Sequence, residues 1–361
     1  MINSQNASQF KFYTSSEYRA KLLELVGQTQ VGSRILLTTM GYRPDEPAVA
    51  NIMQALKAAA GRSVKTTLLV DAHTFLVKTN TLGIAPGPLW YTKRLPSRLR
   101  QPYEYRWQSL RQLSEQPTGD CGIINPPTKR FKLPIAGRSH IKLAIVGQTI
   151  FLGGCNLQGT QLIDLMVGFS DQALSDWLYS LFKKVQGDKQ VWRTLGGRDI
   201  SRPIDDDTSL LIDAGNRKQS VILKSAIELI DAAQEWVLIT CQFFPNSLTA
   251  LALRRAYRRG VKVEIIFSHP SMHGRFGSTA HRANMWRERL RLPPHFFDGM
   301  IAKEDTMVHA KLLATDAGTI FGSHNYVSAG VYLGTAEMAL FSRNPNFTSQ
   351  ALAAFTRART S

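Results

Sequence analysis

Apolar positions along the chain alternate between short unbroken runs and longer stretches at helical spacing. Ile35, Leu36 and Leu37 lie in a run over 34–40 that predicts a buried strand. An Ala- and Leu-rich stretch over 46–60 predicts a helix, and Val64, Leu68, Leu69 and Val70 predict a second strand over 63–71. Three further strand-like runs follow, at 141–146, 149–152 and 163–169. From Asp171, the spacing of Trp177, Leu178 and Leu181 predicts a helix of roughly fifteen residues. Lys93, Arg94, Arg98 and Arg100 read as an irregular surface loop, and Pro126-Pro127 as a turn. Residues 186–218 hold several glycines and Asp205-Asp206-Asp207 with little apolar periodicity, which predicts a linker.

Beyond that stretch the pattern begins again. A helix is expected over 220–232, a strand over 236–240, a helix over 246–259 stopped by Gly260, and a strand over 261–267. Val237-Leu238-Ile239-Thr240 echoes Ile35-Leu36-Leu37-Thr38. Alternating strands and helices argue for an α/β fold with sheets flanked by helices. A repeat of this length argues for a duplicated domain rather than a solenoid. The expected organisation is a first half at 1–190, a linker at 191–218 and a second half at 219–361.

Composition narrows the class. The 361 residues are 43% hydrophobic, ordinary for a folded protein and enough for a large core. No apolar run approaches the roughly 18 residues of a membrane span. The polar start, Met1 to Asn6, lacks the apolar centre of a signal peptide, so a cytoplasmic location is expected, with peripheral attachment to the inner face of the membrane as its variant. Cys121, Cys155 and Cys241 are too far apart for a disulfide scaffold or a zinc site. His269, His273, His281 and His295 fit no zinc spacing either. The net charge of +17 suits a polyanionic partner: an anionic lipid surface, a nucleic acid or a phosphate-bearing substrate. Arg254, Arg255, Arg258 and Arg259 on one helix, and Arg287, Arg289 and Arg291 beside Trp286, read first as solvated helix faces and only second as such contacts.

The repeat carries chemistry at two places. His140-Ile141-Lys142 is followed by Gly153-Gly154-Cys155-Asn156, and His309-Ala310-Lys311 by Gly322-Ser323-His324-Asn325, all at an offset of 169. One His-x-Lys means little, but two copies at one offset, each followed by Gly-x-x-Asn, mark a site. In a strand the His and Lys of each pair share a face. If the halves meet about a pseudo-two-fold axis, two imidazoles, two ammoniums and two amides converge. Such a cluster suits a phosphate and no divalent metal. Two histidines flanking a phosphodiester can divide the work. One attacks phosphorus, and the other protonates the leaving oxygen and then activates the acceptor. The lysines and asparagines would hold the non-bridging oxygens.

These residues resemble the phospholipase D superfamily, whose signature is His-x-Lys-(x)4-Asp followed by Gly-Ser/Gly-x-Asn. The second copy is complete with Asp316, whereas Gly147 stands at that place in the first; the resemblance gives this Asp a mainly structural part. The likeness spans roughly 30–345 and looks most like bacterial cardiolipin synthases. The segments that carry it include Gln242-Phe243-Phe244-Pro245, Arg259-Gly260-Val261-Lys262-Val263, Asn125-Pro126-Pro127 and Arg138-Ser139. It implies two similar halves sharing one active site, a phosphohistidine intermediate and no metal or other cofactor. It implies His140 as nucleophile and His309 as acid, with Lys142, Lys311, Asn156, Asn325 and Asp316 in the site. Asp164 and Glu337 resemble the acidic positions that orient the histidines, with the pairing left open. Ser323 and Gly154 within the turns, and His273 and Arg275 in the loop 268–280, are the expected substrate contacts. The substrate is expected to be a glycerophospholipid, with a metal-independent nuclease or a non-catalytic binding module as the alternatives.

Overall fold

Both halves build a mixed sheet with helices on its faces, and the strand order shows the duplication. The computed structural model describes residues 10–75, 97–126, 136–159, 162–273, 275–291, 293–303 and 305–360. In the first half these are β1 (Lys11–Thr14), α1 (Ser15–Gln28), β2 (Arg34–Thr39), α2 (Pro47–Gly61), β3 (Lys65–Asp71), α3 (Ser97–Ser114), β4 (Gly119–Ile124), β5 (Leu143–Val146), β6 (Thr149–Gly153), β7 (Leu162–Ile163), β8 (Leu165–Ser170) and α4 (Gln172–Asp188). After a short α5 (Val191–Thr194) come β9 (Ile200–Pro203), β10 (Thr208–Ala214), α6 (Val221–Ala232), β11 (Trp236–Cys241), α7 (Ser247–Arg258) and β12 (Lys262–Ser268). The chain ends through α8 (Arg275–Arg289), β13 (Met300–Lys303), β14 (Met307–Val308), β15 (Lys311–Thr315), β16 (Gly318–Gly322), α9 (Ser328–Tyr332), β17 (Ala336–Ser342) and α10 (Pro345–Thr360).

The first sheet runs β1-β8-β6-β5-β2-β3-β4, and the second β9-β10-β17-β16-β15-β11-β12-β13. Strand for strand the two orders match, with β9 added at the edge of the second. In each, the last three strands are parallel and the others antiparallel.

Local signals explain the elements. Thr14 and Glu17 form a reciprocal cap on α1, Asp171 accepts from Leu174 N at 2.9 Å at the start of α4, and Ser220 caps α6 in the same way. Alternation then sorts the strands. In β2, Ile35 and Leu37 pack outward against α1 and α2, whereas Leu36 faces inward. The inward faces of both sheets share one core, with Leu152 and Ile145 from the first and Leu312 and Leu340 from the second. Helices α4 and α10 contribute Phe182 and Phe347 to that layer, and the Phe12 ring lies 5.0 Å from both Phe321 and Phe347. The halves therefore fold as one body, and burial of this shared apolar surface holds them together.

Two expectations are corrected. Residues 191–218 are not a linker, because β9 and β10 lie within them and extend the second sheet, with Asp205–Asp207 as their hairpin turn. The apolar run in β10 is only Leu210-Leu211-Ile212, too short to stand out beside the glycines and aspartates. Arg98 and Arg100 lie in α3 rather than in a loop; its stabilising contacts come late, through Leu110 and Leu113. Lys93, Arg94 and Pro127 lie outside the described residues. No helix among the described residues is long and apolar enough to cross a membrane.

Candidate active site

Two short stitches between the halves set the geometry. His140 N donates to Ala336 O at 2.8 Å, and Ala336 N donates to Arg138 O at 2.8 Å. On the other side, β14 pairs in parallel with β7, and His309 N donates to Ile163 O at 2.9 Å. In both cases the next residue of the stitched strand is a carboxylate, Glu337 after Ala336 and Asp164 after Ile163. The carboxylates therefore cross: His140 Nδ1 lies 3.0 Å from Glu337 Oε2, and His309 Nδ1 lies 2.7 Å from Asp164 Oδ2. Each histidine is oriented by the opposite half.

The strand register shows that these acids are counterparts. Gly153 pairs with Met166 in the first sheet, as Gly322 pairs with Ala339 in the second. Asp164 and Glu337 each stand two residues before the paired partner. Their offset in sequence is 173 rather than 169, because α9 lengthens the second connection.

The hydrogen bonds also fix the proton positions. His140 Nδ1 lies 2.8 Å from the carbonyl of Ser323, which can only accept, so Nδ1 carries the proton and Nε2 presents its lone pair. Asp164 holds His309 in the same tautomer. The ring centroids lie 6.4 Å apart. Lys142 Nζ donates to His140 O at 2.7 Å, and Lys311 Nζ donates to His309 O. Both ammoniums are buried, at 2% and 0% exposure, beside each other's motif.

Burial and mutual repulsion dominate the titration. Burial, then Lys142 and Lys311, hold His140 well below its usual value, and burial with Lys311 pushes His309 down to about 4. Burial and the neighbouring Lys311 bring Lys142 down to about 7, and burial lowers Lys311 as well. Burial raises Glu337. For Asp164 burial acts upward, but His309 and Lys311 outweigh it and keep the carboxyl below its usual range. A cationic cluster with depressed affinity for protons is poised to take an anion.

The asparagines close the cluster unequally. Asn156 Oδ1 accepts from Gly41 N at 3.0 Å, with the Thr39 hydroxyl 3.3 Å away, so its amide NH2 is left to donate. Asn325 Oδ1 is buried with no hydrogen-bond partner among the described residues.

Four expected site residues sit elsewhere or act differently. Asp316 is exposed beyond the far end of β15 and accepts from the backbone N–H of Gln234, Glu235 and Trp236, anchoring the entry to β11. Gly147 occupies the matching hairpin turn at φ +61°, and its N–H donates to Arg34 O at 3.0 Å. Neither turn reaches the histidines, so the loss of the first-motif Asp leaves the site intact. Ser323 commits its hydroxyl to Glu337. Gly154 makes room, because a Cβ there would lie 1.9 Å from Asp164 Oδ1. His273 is buried, stacked 4.8 Å from Phe243 and lowered by that burial. Arg275 opens α8, and its side chain lies outside the described residues.

Asp71, at a strand end, reads in the sequence as turn or helix-capping chemistry rather than as a site residue. It is fully buried at the end of β3 and accepts from Ser139 N, Asn125 Nδ2 and His73 N, each at 2.7 Å, and from Arg138 Nη1 at 3.3 Å. Through Ser139 it fixes the residue before His140. The Asn125 and Arg138 segments, noted for their resemblance, are its partners.

With this geometry in place, residues 226–359 match the family described as "Cardiolipin synthase, PLD-like domain". The second half of the chain thus carries a phospholipase D-like domain. No curated protein matches. The fold of the whole chain is similar to a phosphatidylserine synthase of Haemophilus influenzae Rd KW20, at 15% identity and a TM-score of 0.68, covering 98% of this chain and 85% of that one. It is also similar to a polyphosphate kinase from Porphyromonas gingivalis, at 14% identity and a TM-score of 0.53, covering 98% of this chain and 50% of that one. At such identities the likeness establishes the fold, and the chemistry has to be argued from the site.

Proposed function

We propose that this protein transfers or hydrolyses the phosphatidyl group of a glycerophospholipid through a phosphohistidine on His140. The observation that carries the reading is the pair of crossed, buried histidine–carboxylate contacts with two lysines between the halves. His140 Nε2 attacks phosphorus, forming a P–N bond as the P–O bond to the leaving group breaks, and His309 gives that oxygen its proton. His309 then removes a proton from the acceptor hydroxyl, whose oxygen attacks phosphorus and breaks the P–N bond. Lys142, Lys311 and Asn156 hold the non-bridging oxygens where negative charge gathers.

The resting site favours a neutral His309, so the acid needs its proton delivered on binding. A bound phosphodiester shields the lysines from each other and favours every cationic form, raising these values. The complex therefore holds more protons than the free enzyme, and affinity falls as pH rises through Lys142's value of about 7. Glycerophosphoglycerol keeps one charge throughout this range, and its dissociation constant is expected to rise between pH 6 and pH 9; a flat profile would remove the lysines as phosphate ligands.

The lipid rather than nucleic acid is supported by the cardiolipin synthase description of the matched family and by the phosphatidylserine synthase with a similar fold. The test is turnover of phosphatidylglycerol in EDTA, with products read by mass spectrometry and His140→Ala, His309→Ala protein as control. Cardiolipin or phosphatidic acid from the wild type alone supports the reading. Cleavage of single-stranded DNA with no lipid turnover would move the site to the nucleases, and persistent metal dependence would defeat the two-histidine mechanism. His309→Ala is expected to hurt poor leaving groups more than good ones, and with a good one to let the phosphoryl group accumulate on His140.

A further inference from the structure

Helix α8 carries a surface that no catalytic step uses. It follows β12, whose last residue, Ser268, donates to Val308 O at 3.0 Å, just before His309. His281 on its inner side accepts from Phe244 N at 3.0 Å, and Asn284 donates to Phe244 O at 3.0 Å. These contacts fix the helix against the segment after β11. Its outer side is unlike an ordinary surface helix. Trp286 is 65% exposed and Leu290 68% exposed; among the described large apolar residues only Val31 is more exposed. Leu290 lies one residue past the end of α8, where its N–H still donates to Trp286 O at 3.3 Å, so the two form one outward ridge.

The charge around that ridge has one sign. Arg282, Arg287, Arg289 and Arg291 surround it, and the one acid of the stretch, Glu288, is buried on the inner side. Glu288 lies 3.1 Å from Arg287 and 3.8 Å from Arg291, and it also receives Ser247 N at 3.4 Å. A Trp and a Leu projecting from a ring of arginines suit an interface that is apolar beneath and anionic above. An anionic bilayer offers both layers: the indole settles at headgroup depth, the leucine enters the acyl boundary and the guanidiniums meet phosphates. A single strand of nucleic acid would use the arginines and the indole, but it gives the leucine nothing to stack on.

We propose that the outer face of α8 docks the protein on an anionic phospholipid bilayer and sets the rim of the site against the headgroups. This rests on the lipid reading above and names the surface that reading requires. The experiment separates the two. Vesicle partitioning is measured on His140→Ala, His309→Ala protein, which cannot turn over lipid, with phosphatidylglycerol–phosphatidylcholine and pure phosphatidylcholine vesicles. Adding Trp286→Ser with Leu290→Ser should lower partitioning onto the anionic vesicles at least tenfold, with the circular dichroism spectrum unchanged. Arg282→Gln with Arg289→Gln should flatten its salt dependence. Val31→Ser, which removes a still more exposed apolar side chain elsewhere, should change nothing. Unchanged partitioning in the α8 variants, an equal loss in Val31→Ser, or loss of single-stranded DNA binding with vesicle binding intact would each overturn the docking face. Turnover of monomeric short-chain phosphatidylglycerol by the wild type is read separately; its absence would sink the proposed reaction without touching the vesicle result.

Discussion

In the first half, the last residue of β3 is Asp71, whose buried carboxylate takes four hydrogen bonds, one of them from the backbone just before His140. At the same place in the second half, the last residue of β12 is Ser268, whose hydroxyl donates a single bond of 3.0 Å to Val308 O, just before His309. The asparagines differ likewise. Thr39 and Gly41 pin Asn156, but the position matching Thr39 is Cys241, whose thiol turns to Phe243 O at 2.7 Å and leaves Asn325 Oδ1 without a partner among the described residues. The duplicated halves share a scaffold and a set of reacting groups, yet the first grips its share more tightly. A group that must form and break a bond to phosphorus needs a fixed position, whereas one that passes protons tolerates more freedom, and this fits His140 as the nucleophile.

The largest test of the comparison lies in the crossed acids. Glu337→Gln should disable His140 and Asp164→Asn should disable His309, each lowering kcat by about a thousandfold or more, the scale seen when a buried acid behind a catalytic histidine is neutralised. Single-turnover kinetics should show intermediate formation slowed by the first and leaving-group sensitivity sharpened by the second. The reverse assignment would break the crossed reading.

Bracing should matter next. Asp71→Ala leaves the buried Arg138 beside the hole and should cost about 3 kcal/mol of stability, with a loss of activity beyond what unfolding explains. Ser268→Ala removes one neutral bond and should cost about 1 kcal/mol. Equal costs by chemical denaturation would erase the asymmetry. A smaller effect is expected of Thr39→Cys, which copies the second half's residue into the first: kcat/KM should fall by about threefold to tenfold, from a loss of about 1 kcal/mol of amide positioning.

Smallest for catalysis is Asp316→Ala. Three backbone N–H groups lose their acceptor, so Tm should drop while kcat stays. Those bonds outweigh burial and hold the Asp316 pKa below its usual value. Stability from such a group is present above its unfolded value of about 4 and is lost as pH falls through the folded one. The Tm difference from wild type should therefore shrink below pH 4, and a difference that persists there would assign the effect to something other than the charge.

What could be read from the chain follows from how each residue acts. His140, Lys142, His309, Lys311 and the two asparagines act with their own side chains and recur at one offset, so the repeat exposes them. Asp164 and Glu337 recur too, but α9 shifts the second by four residues, and nothing in the order of residues says that each serves the other half's histidine. Asp71 works through the backbone of Ser139, 68 residues away, and a backbone N–H leaves no mark on composition. The fold class and most strands are legible because buried strands repeat apolar runs. Strands β1 and β10 are not: the first is four residues of mixed character, and the second carries the buried Asp213 among its apolar positions.

The crossed acids also say what kind of object this chain is. Histidine of one half touches acid of the other, and the reverse contact is its mirror, which is how an isologous dimer meets itself. The protein is in effect a dimer carried on one chain, with two subunits that are similar but not identical. Opened in the turn at Gly196-Gly197, it would give two fragments, each with a histidine and neither with that histidine's acid. Any activity the fragments recovered would depend on the product of their concentrations, and fusion removes that dependence by fixing the local concentration of each half at the other.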